Sequence, residues 1–226
     1  MRNIVFILAG GIGSRVGENT PKQLLPLADG RTVLEHAIDA FEQAPFTTEI
    51  ALVMHPDWLQ EAQMIISQNA WTKVRKLIPG GQERWESSWN AISAYLNEDK
   101  TDPDTFYWFH DAARPFVSQE IIERVGNALK THWAVAVAVP VTDTLYQVQK
   151  DEVADIKDRK QFMRAQTPQA FHYAVIGTAY MRAIEKKNIQ ATDDVGILMT
   201  YNPEVSVHIV EGEESNRKIT YLTDLQ

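Results

Sequence analysis

Residues 3–23 read N-I-V-F-I-L-A-G-G-I-G-S-R-V-G-E-N-T-P-K-Q. An apolar run ends abruptly in a loop that carries Gly10, Gly11, Gly13 and Gly17, with Arg15 inside it and Lys22 just beyond. The pattern predicts a buried strand feeding an anion-binding loop. Glycines let backbone N–H groups approach a phosphate closely, while an arginine and a lysine supply the charge that holds it. Two common phosphate loops fit badly. A P-loop places Lys-Ser/Thr directly after its last glycine, whereas Glu18 follows Gly17 here. A dinucleotide fingerprint needs G-x-G-x-x-G opening a helix, and Pro21 interrupts that helix. The alternative to a phosphate cradle is a purely structural turn.

The 226 residues are 44% hydrophobic and contain no cysteine. One globular core is expected, without disulfides or thiolate metal sites. The apolar runs are too short to cross a bilayer, and the N-terminus lacks a cleavable leader pattern, so the expectation is a soluble, cytoplasmic chain with no membrane partner. A net charge of −8 disfavours general nucleic-acid binding. Bound phosphate must therefore meet local positive charge.

Residues 32–41 (T-V-L-E-H-A-I-D-A-F) predict a helix capped by Thr32 with Glu35 closing a capping box. His36 on that helix reads as a surface or packing residue. Strands are predicted at 49–54 and 73–78, with a helix over 57–67 between them. This strand–helix alternation favours a parallel sheet with helices on its faces. A second glycine loop, P-G-G-Q-E-R at 79–84, leads into a helix over 85–96. Ligands bind at the carboxyl ends of parallel strands, so two such loops can converge on one nucleotide. Arg84 reads either as a surface residue at a helix start or as part of the site, and the helix macrodipole disfavours the first.

The aromatic strand at 105–110 ends in Asp111-Ala112-Ala113-Arg114-Pro115. A carboxylate there is well placed to hold Mg²⁺ against substrate phosphates, the alternative being that Asp111 caps the turn or pairs with Arg114. His110 is a poor candidate ligand because Mg²⁺ prefers oxygen. A helix at 118–129 and a strand at 133–141 follow. Residues 142–149 and 153–156 then alternate like a hairpin with few apolar residues, continuing to a basic stretch that ends at Arg164. They predict an arm at about 142–164 that reaches a second subunit. Core elements return at 166–171, 175–186 and 205–210, and Lys218 in E-S-N-R-K-I-T is positioned to point at a site. No repeat or linker divides the chain, so residues 1–226 are expected to form a single domain.

Seven ordered motifs, L-A-G-G-I-G-S-R-V-G…P-K-Q, G-G-Q-E-R, H-D-A-A-R-P-F, V-T-D-T, R-x₇-T-P-Q-A-F, A-T-D-D and E-S-N-R-K-I-T, run from Ile4 to Leu225. Together they resemble the cytidylyltransferases that act on polyol phosphates, a family that includes the 2-C-methyl-D-erythritol 4-phosphate and ribitol 5-phosphate enzymes. The resemblance implies an α/β, Rossmann-like nucleotidyltransferase domain, with a mostly parallel sheet, helices on both faces and a protruding β-arm that forms a homodimer. It implies CTP phosphates on the loop of Gly10, Gly11, Gly13 and Arg15 beside Lys22, and cytidine recognition by Gly80, Gly81, Arg84, Ser87 and Ala112. It further implies Mg²⁺ on Asp111, with Lys218 near metal and phosphates. The polyol phosphate would meet Arg114, Thr192, Thr144 and Arg159, the last two from the neighbouring subunit's arm. Arg15, Lys22 and Lys218 are the implied catalytic cations.

Gln82, the bulky Trp85 and Trp89, and Val195-Gly196 depart from the methylerythritol pattern and lean toward the ribitol branch. H-D-A-A-R-P leans the other way, leaving the two substrates evenly balanced. A sugar-1-phosphate nucleotidyltransferase using another nucleotide shares the opening motif, and a catalytically silent nucleotide-binding subunit is the reading from outside the enzymes.

Overall fold

The structure is a computed structural model that describes residues 1–11, 20–96, 102–187 and 189–225. Gly13, Arg15 and Gly17 of the opening loop lie outside the described residues.

The first apolar run forms β1 (Arg2–Ala9), and every residue from Ile4 onward is buried. It pairs in parallel with β2 (Glu49–Met54) on one side and β4 (Thr105–Asp111) on the other, while β3 (Val74–Pro79) extends the sheet beyond β2. The chain thus winds outward in one direction through β2 and β3, then returns to lay β4 on the opposite side of β1. That reversal is a topological switch point, where the loops after β1 and β4 diverge and leave a crevice at their carboxyl ends.

The later strands are β5 (Ala134–Pro140), β6 (Leu145–Gln149), β7 (Glu152–Lys157), β8 (Met163–His172) and β9 (His208–Glu211). Among the described residues, seven strands form one sheet in the order β3-β2-β1-β4-β8-β5-β9. Its one reversed strand is β8, antiparallel to both β4 and β5. The expected mostly parallel sheet is therefore present.

Both faces are covered, which is why β1 reads as continuous apolar sequence rather than an alternation. Val5 and Ile7 face α1 (Val33–Gln43), α2 (Leu59–Gln68) and α4 (Gln119–Ala128), contributing Leu34, Ala62 and Ile121 among others. Ile4 and Phe6 face α3 (Arg84–Ser93), α5 (Tyr173–Glu185) and α6 (Asp194–Tyr201), with Ile92, Ile176 and Leu198. The capping box of Thr32 and Glu35 forms as expected.

Several boundaries differ from the sequence reading. Helix α2 begins at Leu59 because Pro56–Trp58 makes a 3₁₀ turn, with the His55 ring accepting the Asp57 N–H. Helix α3 ends at Ser93 and begins at Arg84, where Glu83 and Glu86 form a capping box. Strand β9 starts three residues later than 205. The arm is narrower than 142–164, since Met163 and Arg164 already pair with Pro140 and Val139 in the main sheet. Strands β6 and β7 pair with each other and join no other strand among the described residues. Lys150 and Asp151 turn between them with φ of 50° and 66°, the positive pair that a two-residue hairpin turn requires. No described helix is long and apolar enough to cross a membrane.

Candidate active site

At the switch point lies an open cleft of about 570 Å³. Its walls bring together Gly10 and Gly11 after β1, Gly81, Arg84 and Ser87 after β3, Asp111 and Ala112 after β4, and Lys22 and Lys218. Those nine were all singled out in the sequence. Gly80 packs directly behind: a Cβ added there would lie 3.2 Å from Gly10 Cα. The two glycine loops therefore touch, and Ser87 Oγ, 3.0 Å from the Gly81 N–H it accepts, fixes one against the other. A Cβ on Gly10 would fall 2.7 Å from that hydroxyl oxygen, so glycine is needed for close approach.

Asp111 is the electrostatic centre. Lys218 Nζ donates to Oδ2 at 2.7 Å, and Arg84 Nε to Oδ1 at 3.3 Å. Burial pushes its carboxyl up, but the Arg84 and Lys218 charges outweigh burial and hold it well below the usual carboxylate range. Arg84 Nη1 also donates to Asp194 Oδ2 at 2.7 Å. Burial opposes the guanidinium charge, yet the carboxylates of Asp194 and Asp111 more than restore it. Arg84 is thus no surface residue at a helix start, and Asp111 pairs with Arg84 and Lys218 rather than with Arg114.

Lys22 Nζ donates to the Ile219 carbonyl at 2.6 Å, tying the segment after the opening loop to the one that carries Lys218. Arg114 lies outside the cleft lining, donating to the carbonyls of Asn216 at 2.8 Å and Ala165 at 3.2 Å. Burial lowers its pKa. Thr144 and Thr192 are exposed and, with Arg159, outside the cleft lining. Arg159 donates to the Thr142 carbonyl at the base of the arm.

Other polar residues, to which the sequence assigned no site role, hold this arrangement. Buried Gln23 donates to the carbonyls of Ala9 at 2.7 Å and Gly11 at 3.0 Å, shaping the start of the opening loop. Its signal was adjacency to Lys22. His110 is pushed down to about 4 by burial and is neutral. Its Nε2 faces the Arg114 carbonyl at 3.0 Å, so Nδ1 accepts the Thr167 hydroxyl at 3.1 Å, which in turn accepts the Asp111 N–H. Asp194, Gln169 and Tyr180 form a further buried cluster, in which Asp194 belongs to A-T-D-D and Gln169 to T-P-Q-A-F, neither having been given a role of its own.

An open, mostly parallel sheet with two glycine loops, paired cations and a carboxylate at its switch point defines a nucleotide-binding α/β protein built to handle phosphates. Residues 3–226 match the family described as IspD, 2-C-methyl-D-erythritol 4-phosphate cytidylyltransferase, and the chain belongs to that family. A 2-C-methyl-D-erythritol 4-phosphate cytidylyltransferase of Thermobifida fusca (strain YX) is 44% identical over 224 residues, 97% of this chain and 88% of that protein. The bifunctional ribulose 5-phosphate reductase/CDP-ribitol pyrophosphorylase Bcs1 of Haemophilus influenzae is 37% identical over 226 residues, 99% of this chain and 47% of that protein. The crystal structure of 4-diphosphocytidyl-2C-methyl-D-erythritol synthase from Anaerococcus prevotii DSM 20548 matches with a TM-score of 0.83 at 28% identity, covering 99% of this chain and 94% of that one.

Proposed function

We propose that the chain transfers CMP from CTP to the phosphate of 2-C-methyl-D-erythritol 4-phosphate, releasing pyrophosphate. The observation that carries this is the convergence of two glycine loops with Lys22, Arg84, Lys218 and Asp111 on one cleft, together with the family. An oxygen of the polyol phosphate attacks the α-phosphorus of CTP. The new P–O bond forms as the bond to the bridging oxygen breaks, and pyrophosphate leaves with that electron pair. The second pKa of a phosphate is about 6, so the nucleophile is already ionised and needs no general base. The difficulty is charge: a dianion approaches a polyanion while negative charge grows around the α-phosphorus. Lys22 and Lys218 are the described groups we assign to stabilising it, with Arg15 from the opening loop.

Among the described residues, no cluster of three or more His, Asp or Glu could hold a metal alone. Mg²⁺ commonly takes one or two carboxylates and completes its shell with substrate oxygens and water. Asp111 suits that role: it is a hard oxygen donor, held ionised, at the cleft wall. When bound there with CTP, Mg²⁺ would neutralise phosphate charge.

We further propose a homodimer through the arm. Tyr146, Val148, Val153 and Ile156 are exposed on a two-stranded ribbon that has no sheet of its own to cover. Packing on a second copy would bury them and carry Thr144 and Arg159 toward the partner's cleft, where with Arg114 and Thr192 they would meet the polyol phosphate.

Ribitol 5-phosphate is a second reading, favoured by the Haemophilus relative that spans 99% of this chain. A coupled pyrophosphate assay with CTP, Mg²⁺ and each polyol phosphate separates the two by kcat/KM. Turnover with neither, or preference for another nucleoside triphosphate, overturns the proposal.

A further inference from the structure

Arg84 is the first residue of α3, where the macrodipole disfavours a cation. It stays because a second carboxylate, away from the cleft lining, anchors it. Asp194 is fully buried, and both of its oxygens are used: Oδ2 accepts Arg84 Nη1 and Oδ1 accepts the Tyr180 hydroxyl, each at 2.7 Å. The turn that carries it is itself fastened to β8. Gln169 Oε1 accepts the N–H groups of Asp194 and Val195 at 3.2 Å each, and Gln169 Nε2 donates to Asp193 Oδ2 at 2.8 Å.

The two carboxylates hold Arg84 unequally. The bond to Asp194 is short, whereas Nε reaches Asp111 at 3.3 Å and touches only one of its oxygens. The guanidinium Nη2 is buried with no hydrogen-bond partner among the described residues. An arginine released from Asp194 is free to turn its planar fork onto both oxygens of Asp111. That would compete with Lys218, which holds Oδ2 at 2.7 Å.

We propose that Asp194 is a positioning residue for nucleotidyl transfer: it keeps Arg84 in a one-point contact with Asp111, so that Asp111 retains Lys218 beside the phosphates. This rests on the cleft being the transfer site. Asp194 touches no substrate, and it acts through Arg84.

The test is a double-mutant cycle between Asp194→Asn and Arg84→Met, read in kcat and in the Kd for CTP by calorimetry, with thermal melting to confirm folding. Asparagine keeps the size and the acceptor for Tyr180 but not the anchoring charge. Alone, Asp194→Asn is expected to lower kcat about 10- to 100-fold, the scale of a misplaced catalytic group. In the Arg84→Met background the same change is expected to do nothing further, within about twofold. Arg84→Lys is expected to be as slow as Arg84→Met, because a point charge cannot span both carboxylates. An Asp194→Asn enzyme with near-normal kcat, an undiminished loss in the Arg84→Met background, or rescue by lysine each overturns the proposal.

If Asp194→Asn fails to fold, Tyr180→Phe replaces it in the cycle. It removes one of the two bonds that hold the carboxylate, and its loss, about threefold, must likewise vanish without Arg84. Absence of turnover by the wild-type chain on any polyol phosphate refutes the assigned reaction, and the cycle is then read in CTP affinity alone, where an equal effect of Asp194→Asn with and without Arg84 overturns the positioning role.

Discussion

Asp111 keeps its charge because its neighbours outweigh its burial, and the same neighbours bring positive charge to the cleft. Lys22, Glu83, Arg84, Asp111 and Lys218, the charged residues of the cleft lining, sum to one net positive charge in a molecule whose formal charge is −8. The surplus is local, concentrated where CTP would place its phosphates. Lys22 Nζ donates to the backbone carbonyl of Ile219. Lys22→Ala is expected to lower kcat by about 10²–10³, the usual loss on removing one group that stabilises developing negative charge. The fold should survive, because no core contact is lost. Steady-state kinetics and a thermal melt check both halves, and a variant that melts normally with near-wild-type kcat would remove Lys22 from the mechanism.

The elements that position these residues were legible in the sequence wherever their signal is local. β1 announces itself by an unbroken apolar run, α1 by its period and capping box, and the two loops by their glycines. Strand β8 is different: its reversed insertion between β4 and β5 depends on partners far along the chain. For the same reason the role of Asp194, quoted only as part of A-T-D-D, went unread, since its contact with Arg84 spans 110 residues. Two elements yield predictions. Burial raises the Glu35 carboxyl, but the hydrogen bonds it accepts from Thr32 and Asn69, with the nearby Arg31 charge, leave it below the ordinary 4.5. A lowered folded-state pKa contributes stability above the unfolded-state value and loses it as pH falls through the folded one. Glu35→Gln, which cannot ionise, is therefore expected to be less stable than wild type near pH 7, with the gap closing below about pH 4 in urea melts. On α4, a Cβ at Gly126 would lie 2.4 Å from the Phe46 ring. Gly126→Ala should cost about 1–3 kcal/mol by overpacking, measured by the same melts, and an unchanged midpoint would show that the ring yields freely.

At the scale of the whole molecule, the proposed chemistry is divided within a single copy. The cleft gathers most of the described groups assigned to CTP, while Thr144 and Arg159, assigned to the second substrate, stand on or beside an arm whose apolar side chains are exposed. If the arm completes a neighbour's cleft, each active site draws on two chains, and the consequence can be measured without knowing the interface. Lys22→Ala disables the cleft but leaves the arm intact, and Arg159→Ala does the reverse. In a mixed dimer, the Arg159→Ala subunit's cleft receives the intact arm of the Lys22→Ala subunit and works, while the other cleft carries both defects. Random assembly makes about half the dimers mixed, each with one working cleft, so co-expressing the two inactive variants should recover about a quarter of wild-type turnover. If each arm served its own subunit, no combination would contain an intact site, and the mixture would stay as inactive as its parents.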